Sequence, residues 1–252
     1  MVGARPLALS LALIIEEGFS LAELDAVMHT IEAAASEVGV ELVTGDTKVV
    51  QRGKGDGLFI NSSGIGCVDT PLNINSSQIR SGDVVLLSGD LGRHGMTIMA
   101  AREALQLETT LQSDCAPLWQ PVSALLDAGI DVHCLRDLTR GGLTTALHEL
   151  AEAAKLGITI NEQDISVCEE VAAICEMLGL DPLHVANEGR FVAFVPAAHA
   201  DAAIASLKPL TPDVRKIGEV HAAHCGQVIM QNALGVRRKL TMLSGEQLPR
   251  IC

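Results

Sequence analysis

Residues 136–142 read Arg-Asp-Leu-Thr-Arg-Gly-Gly. An apolar run at 131–135 precedes them and has the look of a strand. Residues 143–154 follow with the spacing of an amphipathic helix, and 158–160 form the next strand. Strand, charged glycine-ended turn, helix and strand in that order make an α/β unit. The same alternation extends in both directions. Downstream, 167–178 and 198–207 are helical and 191–195 is a strand. Three short β segments follow near 217–220, 227–231 and 236–242. Upstream, 83–89 is a buried strand ending at a glycine turn, and 95–105 and 117–128 are helical.

The first part of the chain has its own pattern. Residues 7–15 are an apolar strand. Ser20 with Glu23 forms a capping box, Leu24 to Val38 keep helical spacing, and Gly39 ends the helix. Residues 40–43 are a short strand, 45–48 a polar interruption, and 58–60 a strand that leads to Gly64-Ile65-Gly66. Residues 69–81 have the Asp, Thr, Pro, Asn, Ser and Gly content of a linker. The expectation is α/β (or α+β) in two lobes, 1–80 and 81–243, with a tail at 244–252.

Composition sets limits on function. The chain has 252 residues and is 48% hydrophobic, enough for a sizeable core in one large or two ordinary domains. Aromatics are only 2%, so that core is aliphatic. A formal charge of −13 argues against nucleic-acid binding, which needs a basic face. Seven cysteines with no C-x-x-C pair suggest neither a disulfide framework nor a zinc site, and point to reduced cytoplasmic thiols. No apolar run is long enough to span a membrane.

Four stretches can carry chemistry. In Gly45-Asp46-Thr47-Lys48 the carboxylate suits magnesium, and the lysine two residues on lies on the same side of an extended chain. A β-turn with both side chains in solvent has the same sequence. The glycines after Asp137 and Arg140 let backbone approach a ligand, and the N–H groups of the next turn suit an anion. An ordinary turn capped by Asp or Thr reads identically. In Asn187-Glu188-Gly189 a partly buried carboxylate would have a raised pKa and act as a base near neutrality, unless this is a tight turn with a surface Glu. Pro249-Arg250-Ile251-Cys252 puts a thiol at the freest end of the chain. Nine tail residues reach roughly 30 Å, so the thiol is either a substrate carrier or incidental. His94 is either near ligand or a structural histidine at a helix start. His221, His224 and Cys225 make a weak metal spacing. Cys134, Cys168 and Cys175 fall at apolar positions and belong in the core.

These stretches, with Gly3-Ala4-Arg5-Pro6 and Glu16-Glu17-Gly18, resemble the HypE family of hydrogenase maturation proteins over essentially the whole chain. Thr44 to Val50, 136–142 and 186–189 are shared with the wider aminoimidazole ribonucleotide synthetase-like ATP-binding superfamily. The terminal Pro-Arg-Ile-Cys singles out HypE. The resemblance implies a two-lobed homodimer with ATP in a cleft. It further implies that the carbamoyltransferase HypF loads a carbamoyl group on the terminal thiol, and that this group is dehydrated to a thiocyanate with ATP and Mg2+. The cyano group then passes to iron in the HypC–HypD complex, to become a cyanide ligand of [NiFe]-hydrogenase. On matched positions, Cys252 carries the substrate, Glu188 is the base and Lys48 assists. Asp46 and Asp137 hold magnesium and the triphosphate, and Arg140 contacts phosphate.

The resemblance also implies a longer N-terminus: a His-Gly segment, a further Asp and an Asn-Asp pair ahead of Gly3. Those pieces contribute to the ATP site and the dimer sheet, so weak ATP binding and unpaired strand edges are expected of the chain as read. Two other functions fit less well. A non-catalytic thiol carrier would present Cys252 but not use ATP. A small-molecule kinase or synthetase of the superfamily would be indifferent to Cys252.

Overall fold

A computed structural model describes residues 1–102 and 109–242. The tail and Cys252 lie outside the described residues. The chain divides into two packed units, Ala4–Thr70 and a larger one made of Met1–Gly3 with Pro71–Cys252.

In the smaller unit, β1 (Arg5–Glu16) is the centre of a three-stranded sheet. It pairs in parallel with β2 (Glu41–Val50) and antiparallel with β3 (Leu58–Cys67). Between β1 and β2 runs α1 (Leu21–Val38). Its ends are as the sequence dictates: the Ser20 side chain accepts from the Glu23 N–H, and Gly39 closes it at φ 68°. Leu11 and Leu13 are buried, whereas Ala12 and Ile14, which alternate with them, are exposed, so one face of the sheet is packed and the other open.

Two expectations need correcting here. Residues 45–48 do not interrupt a strand. Gly45 to Lys48 pair with Leu11 to Ile14 as the middle of β2. Pairing with a neighbouring strand satisfies their backbone groups, and that outweighs the turn preference of Gly and Asp. The third strand runs through Gly64 and Gly66 to Cys67 for the same reason.

The larger unit is built on a seven-stranded sheet of order β10-β9-β6-β8-β4-β7-β5. Its strands are β4 (Asp83–Leu87), β5 (Cys134–Asp137), β6 (Gly157–Asn161), β7 (Phe191–Pro196), β8 (Arg215–His221), β9 (Val228–Gln231) and β10 (Arg237–Lys239). Only β6 and β9 pair in parallel; the others are antiparallel. The helices are α2 (Arg93–Arg102), α3 (Trp119–Asp127), α4 (Gly142–Ala154), α5 (Glu169–Leu178) and α6 (Ala200–Leu207).

All five residues of β4 are buried, because helices cover both of its faces. Val85 and Leu87 pack with Leu143, Leu147 and Leu150 of α4. Val84 and Leu86 pack with Val122 and Leu125 of α3 and Leu207 of α6. Trp119 is partly buried against that second cluster. A third cluster joins α2 and α5 through Met96, Met99, Val171 and Ile174. Cys134 and Cys175 are core residues, as expected. Cys168 is only half-buried, because it stands at the start of α5 rather than inside the helix. Arg136 and Asp137 are not loop residues: they pair with Val192 and Phe191 as the last two residues of β5.

Candidate active site

The ends of β5 and β7 meet in the larger unit, and a buried asparagine organises their loops. Asn187 is fully buried, and its backbone N–H and both side-chain polar atoms are bonded. Its backbone N–H donates to the Leu138 carbonyl at 3.0 Å. Its Oδ1 accepts from the Gly92 N–H at 2.8 Å. Its Nδ2 donates to the carbonyls of Leu138 (3.3 Å) and Val185 (3.1 Å). One side chain therefore fixes the turn after β4, the turn after β5 and the turn before β7.

A second buried group fixes what comes next. Asp114 is 6% exposed. Its Oδ1 accepts from the His94 N–H at 2.8 Å. Its Oδ2 accepts from the N–H groups of Glu188 (3.0 Å) and Gly189 (2.8 Å). Position 189 must be glycine, since a Cβ there would stand 1.8 Å from the Asp114 carbonyl oxygen. His94 is further held by Ser113 Oγ, 2.9 Å from its Nδ1.

Glu188, half-buried above this cradle, has its carboxyl raised above the usual range. Burial is the main cause. His94 and Arg140 pull the other way, whereas the negative charges of Asp114 and Asp137 add to the rise. Asp137 accepts from Thr139 Oγ1 at 2.9 Å and from Arg136 Nη1 at 3.0 Å, and Arg136 also reaches Glu149 at 3.1 Å. Arg140 is exposed at the start of α4, whose N-cap, Gly141, supplies no capping side chain. Gly142 lies at φ 62°, with the Val185 and Leu183 carbonyl oxygens 2.6 and 2.7 Å from where a Cβ would be.

Three sequence-predicted residues, Asp137, Arg140 and Glu188, therefore share one electrostatic neighbourhood, and His94 joins them. The ambiguity at 187–189 is resolved: the turn is tight and its carboxylate is nonetheless partly buried. Asp46 and Lys48 belong to the smaller unit. They lie opposite Ala12 and Ile14 of β1, on the face away from Leu11 and Leu13, and are exposed. Asp46 Oδ1 accepts the Thr47 N–H at 2.8 Å. Among the described residues no cluster of three or more His, Cys, Asp or Glu is arranged to hold a metal, so the spacing at 221–225 makes no such site. Cys252 lies outside the described residues.

Sequence reasoning missed Asp114 and Ser113, which reach the site only through contacts made 74 and 19 residues away. It also missed Asp90, which is paired with Arg190 and Arg93 and holds the turn after β4. No local pattern marks any of them.

Residues 1–68 and 80–231 match the N-terminal and C-terminal domains of the AIR synthase related protein family. The carbamoyl dehydratase HypE of Cupriavidus necator is 47% identical over 254 residues, covering all of this chain and 72% of that protein. A crystal structure of hydrogenase maturation protein HypE in complex with ATP matches with a TM-score of 0.94 at 44% identity, over 100% of this chain and 77% of that one. The crystal structure of a HypE–HypF complex matches with a TM-score of 0.93 at 40% identity, over 96% of this chain and 80% of that one. No described helix is long and apolar enough to cross a membrane. With both domains matched in order and near-half identity along the whole chain, this protein belongs to the HypE family of carbamoyl dehydratases within the AIR synthase related proteins.

Proposed function

We propose that this chain dehydrates a carbamoyl group carried on its own Cys252 to a thiocyanate at the expense of ATP, and so supplies the cyanide ligand for the iron of a [NiFe]-hydrogenase. The observation that carries the reading is Glu188: a half-buried carboxyl, raised above its usual pKa, on a turn whose backbone N–H is held by Asp114, is the kind of group that removes a proton near neutrality. The names of the relatives and the HypE structure with ATP support it.

The chemistry needs these groups. A carbamoyl oxygen is a poor leaving group, and transfer of the ATP γ-phosphoryl group to it makes it a good one. The N–H protons must then leave as the C≡N bond forms, and Glu188 accepts them. Lys48 assists by stabilising phosphate charge, and Arg140 contacts phosphate. Asp46 and Asp137 are the proposed magnesium carboxylates. Both fit as oxygen ligands. Asp46 spends one bond on Thr47, and Asp137 keeps unused lone pairs beside its two bonds. Bound magnesium would supply charge neutralisation at the phosphates.

By the same reading HypF loads the thiol, the HypC–HypD complex receives the cyano group, and the chain works as a homodimer in the cytoplasm. The HypE–HypF structure of a relative supports the first of these.

The test is the intact mass of the chain after incubation with the carbamoyltransferase, carbamoyl phosphate and Mg-ATP. One carbamoyl gained at Cys252, then one water lost only with ATP, is expected. A carbamoyl that is gained and never dehydrated would leave a thiol carrier. Activity that survives Cys252→Ala would point to a small-molecule enzyme instead.

A further inference from the structure

A base acts on a carbamoyl group only from a fixed place, and a misplacement of about 1 Å can cost roughly 10²-fold in rate. The turn 187–189 that carries Glu188 belongs to no helix or strand. We propose that Asp114 is a positioning residue for the dehydration: its carboxylate clamps the Glu188 turn to the start of α2 and places a fixed negative charge beside the base. The inference rests on the dehydratase reading and deepens it.

The two carboxylate oxygens face different segments. Oδ1 accepts the backbone N–H of His94, in the first turn of α2, at 2.8 Å. Oδ2 accepts the backbone N–H groups of Glu188 and Gly189 at 3.0 and 2.8 Å. Only a carboxylate offers an acceptor at both ends, since asparagine would turn its NH2 group against an N–H donor. Asp114 is itself anchored. Leu111 is buried with Met96 and Met99 of α2 and Val171 of α5. Ser113 Oγ accepts the Cys115 N–H at 3.1 Å. The Asp114 carbonyl closes against Gly189, where no Cβ fits. Residues 111–116 are thus a strap with one end in the core and its middle on the Glu188 turn. The charge has a second effect. Burial is the main cause of the raised Glu188 pKa, and the Asp114 and Asp137 carboxylates add to it, whereas His94 and Arg140 oppose it. The Cys115 thiol is the other titratable group that interacts with Glu188. The side chain that holds the base in place therefore also disfavours its ionisation, a combination suited to a base that works near neutrality.

The experiment loads Cys252 with the carbamoyltransferase, adds Mg-ATP and follows loss of water by mass through a single turnover, between about pH 5 and 9, with folding checked by circular dichroism. Glu188 works ionised, so the rate falls as pH falls through its pKa. Asp114→Asn keeps the shape and removes the charge. It is expected to load normally, to dehydrate about 10- to 100-fold more slowly, and to move the acid limb of the profile to lower pH, because both the lost charge and a loosened turn lower the Glu188 pKa. An Asp114→Asn chain with the rate and profile of wild type overturns the proposal. So does a slow one whose acid limb has not moved, because that is a structural defect alone. Should Asp114→Asn fail to fold, Glu188→Asp decides, since it leaves the clamp intact and shortens the base by one methylene. On a fixed turn it is expected to dehydrate about 10²-fold more slowly, and a rate within about threefold of wild type would show a turn that adapts, against the proposal. A wild-type chain that loads but never dehydrates overturns the parent reading, and the clamp's role with it.

Discussion

At the scale of single residues, Glu188 sets its proposed role as a base against stability. Its folded pKa is raised, chiefly by burial. The folded state therefore binds its proton more tightly than the unfolded state does. The stability linked to it is fully present below the ordinary carboxylate pKa and is lost as pH rises through the raised value. At neutral pH the charge is a burden on the fold. Glu188→Gln is expected to raise the melting temperature at pH 7 while abolishing dehydration, with the gain shrinking to nothing as pH falls below the ordinary carboxylate range. Calorimetry of both chains across pH measures this, and an unchanged or lower melting temperature at pH 7 would contradict it. The sequence showed Glu188 because an asparagine and a glycine bracket it between apolar runs. It could not show Asp114, whose meaning comes entirely from amides far along the chain.

Among the elements, those with local end signals were legible and those defined by pairing were not. Ser20, Glu23 and Gly39 announce α1, and it forms between them. Gly45 and Asp46 announce a turn, but β1 recruits them into β2 because pairing outweighs local preference. The consequence for function is small, since an extended chain keeps Asp46 and Lys48 on one face in either case. The start of α4 permits a sharper test. Gly142 needs both a left-handed backbone and the space now taken by two carbonyl oxygens. Gly129, after α3, has a similar φ of 68° with nothing within 4 Å of a Cβ. Gly129→Ala should cost about 1 kcal/mol from backbone strain alone. Gly142→Ala should cost about 3 kcal/mol, since the loop before Asn187 must also move. Urea midpoints measure the difference, and equal losses would show that the carbonyl contacts yield freely.

For the molecule as a whole, charge matters more than any single contact. The chain carries a net −13 while its proposed ligand is a polyanion, and single cations such as Arg140 oppose that charge only at short range. The association rate of ATP is therefore expected to rise as ionic strength increases from about 0.01 to 0.15 M, where the screening length falls from roughly 30 to 8 Å. Stopped-flow mixing reads this directly, and a rate that falls with salt would mean that the local cations dominate. The sequence showed the charge and the α/β alternation. It could not show that β4 is buried on both faces, which depends on helices packing from either side. That packing holds Trp119, the sole indole in a chain without tyrosine. Intrinsic fluorescence is thus a label that nature has confined to the larger unit. An optical melt followed through its emission therefore reads the core cluster around Trp119, in the unit that also carries Glu188.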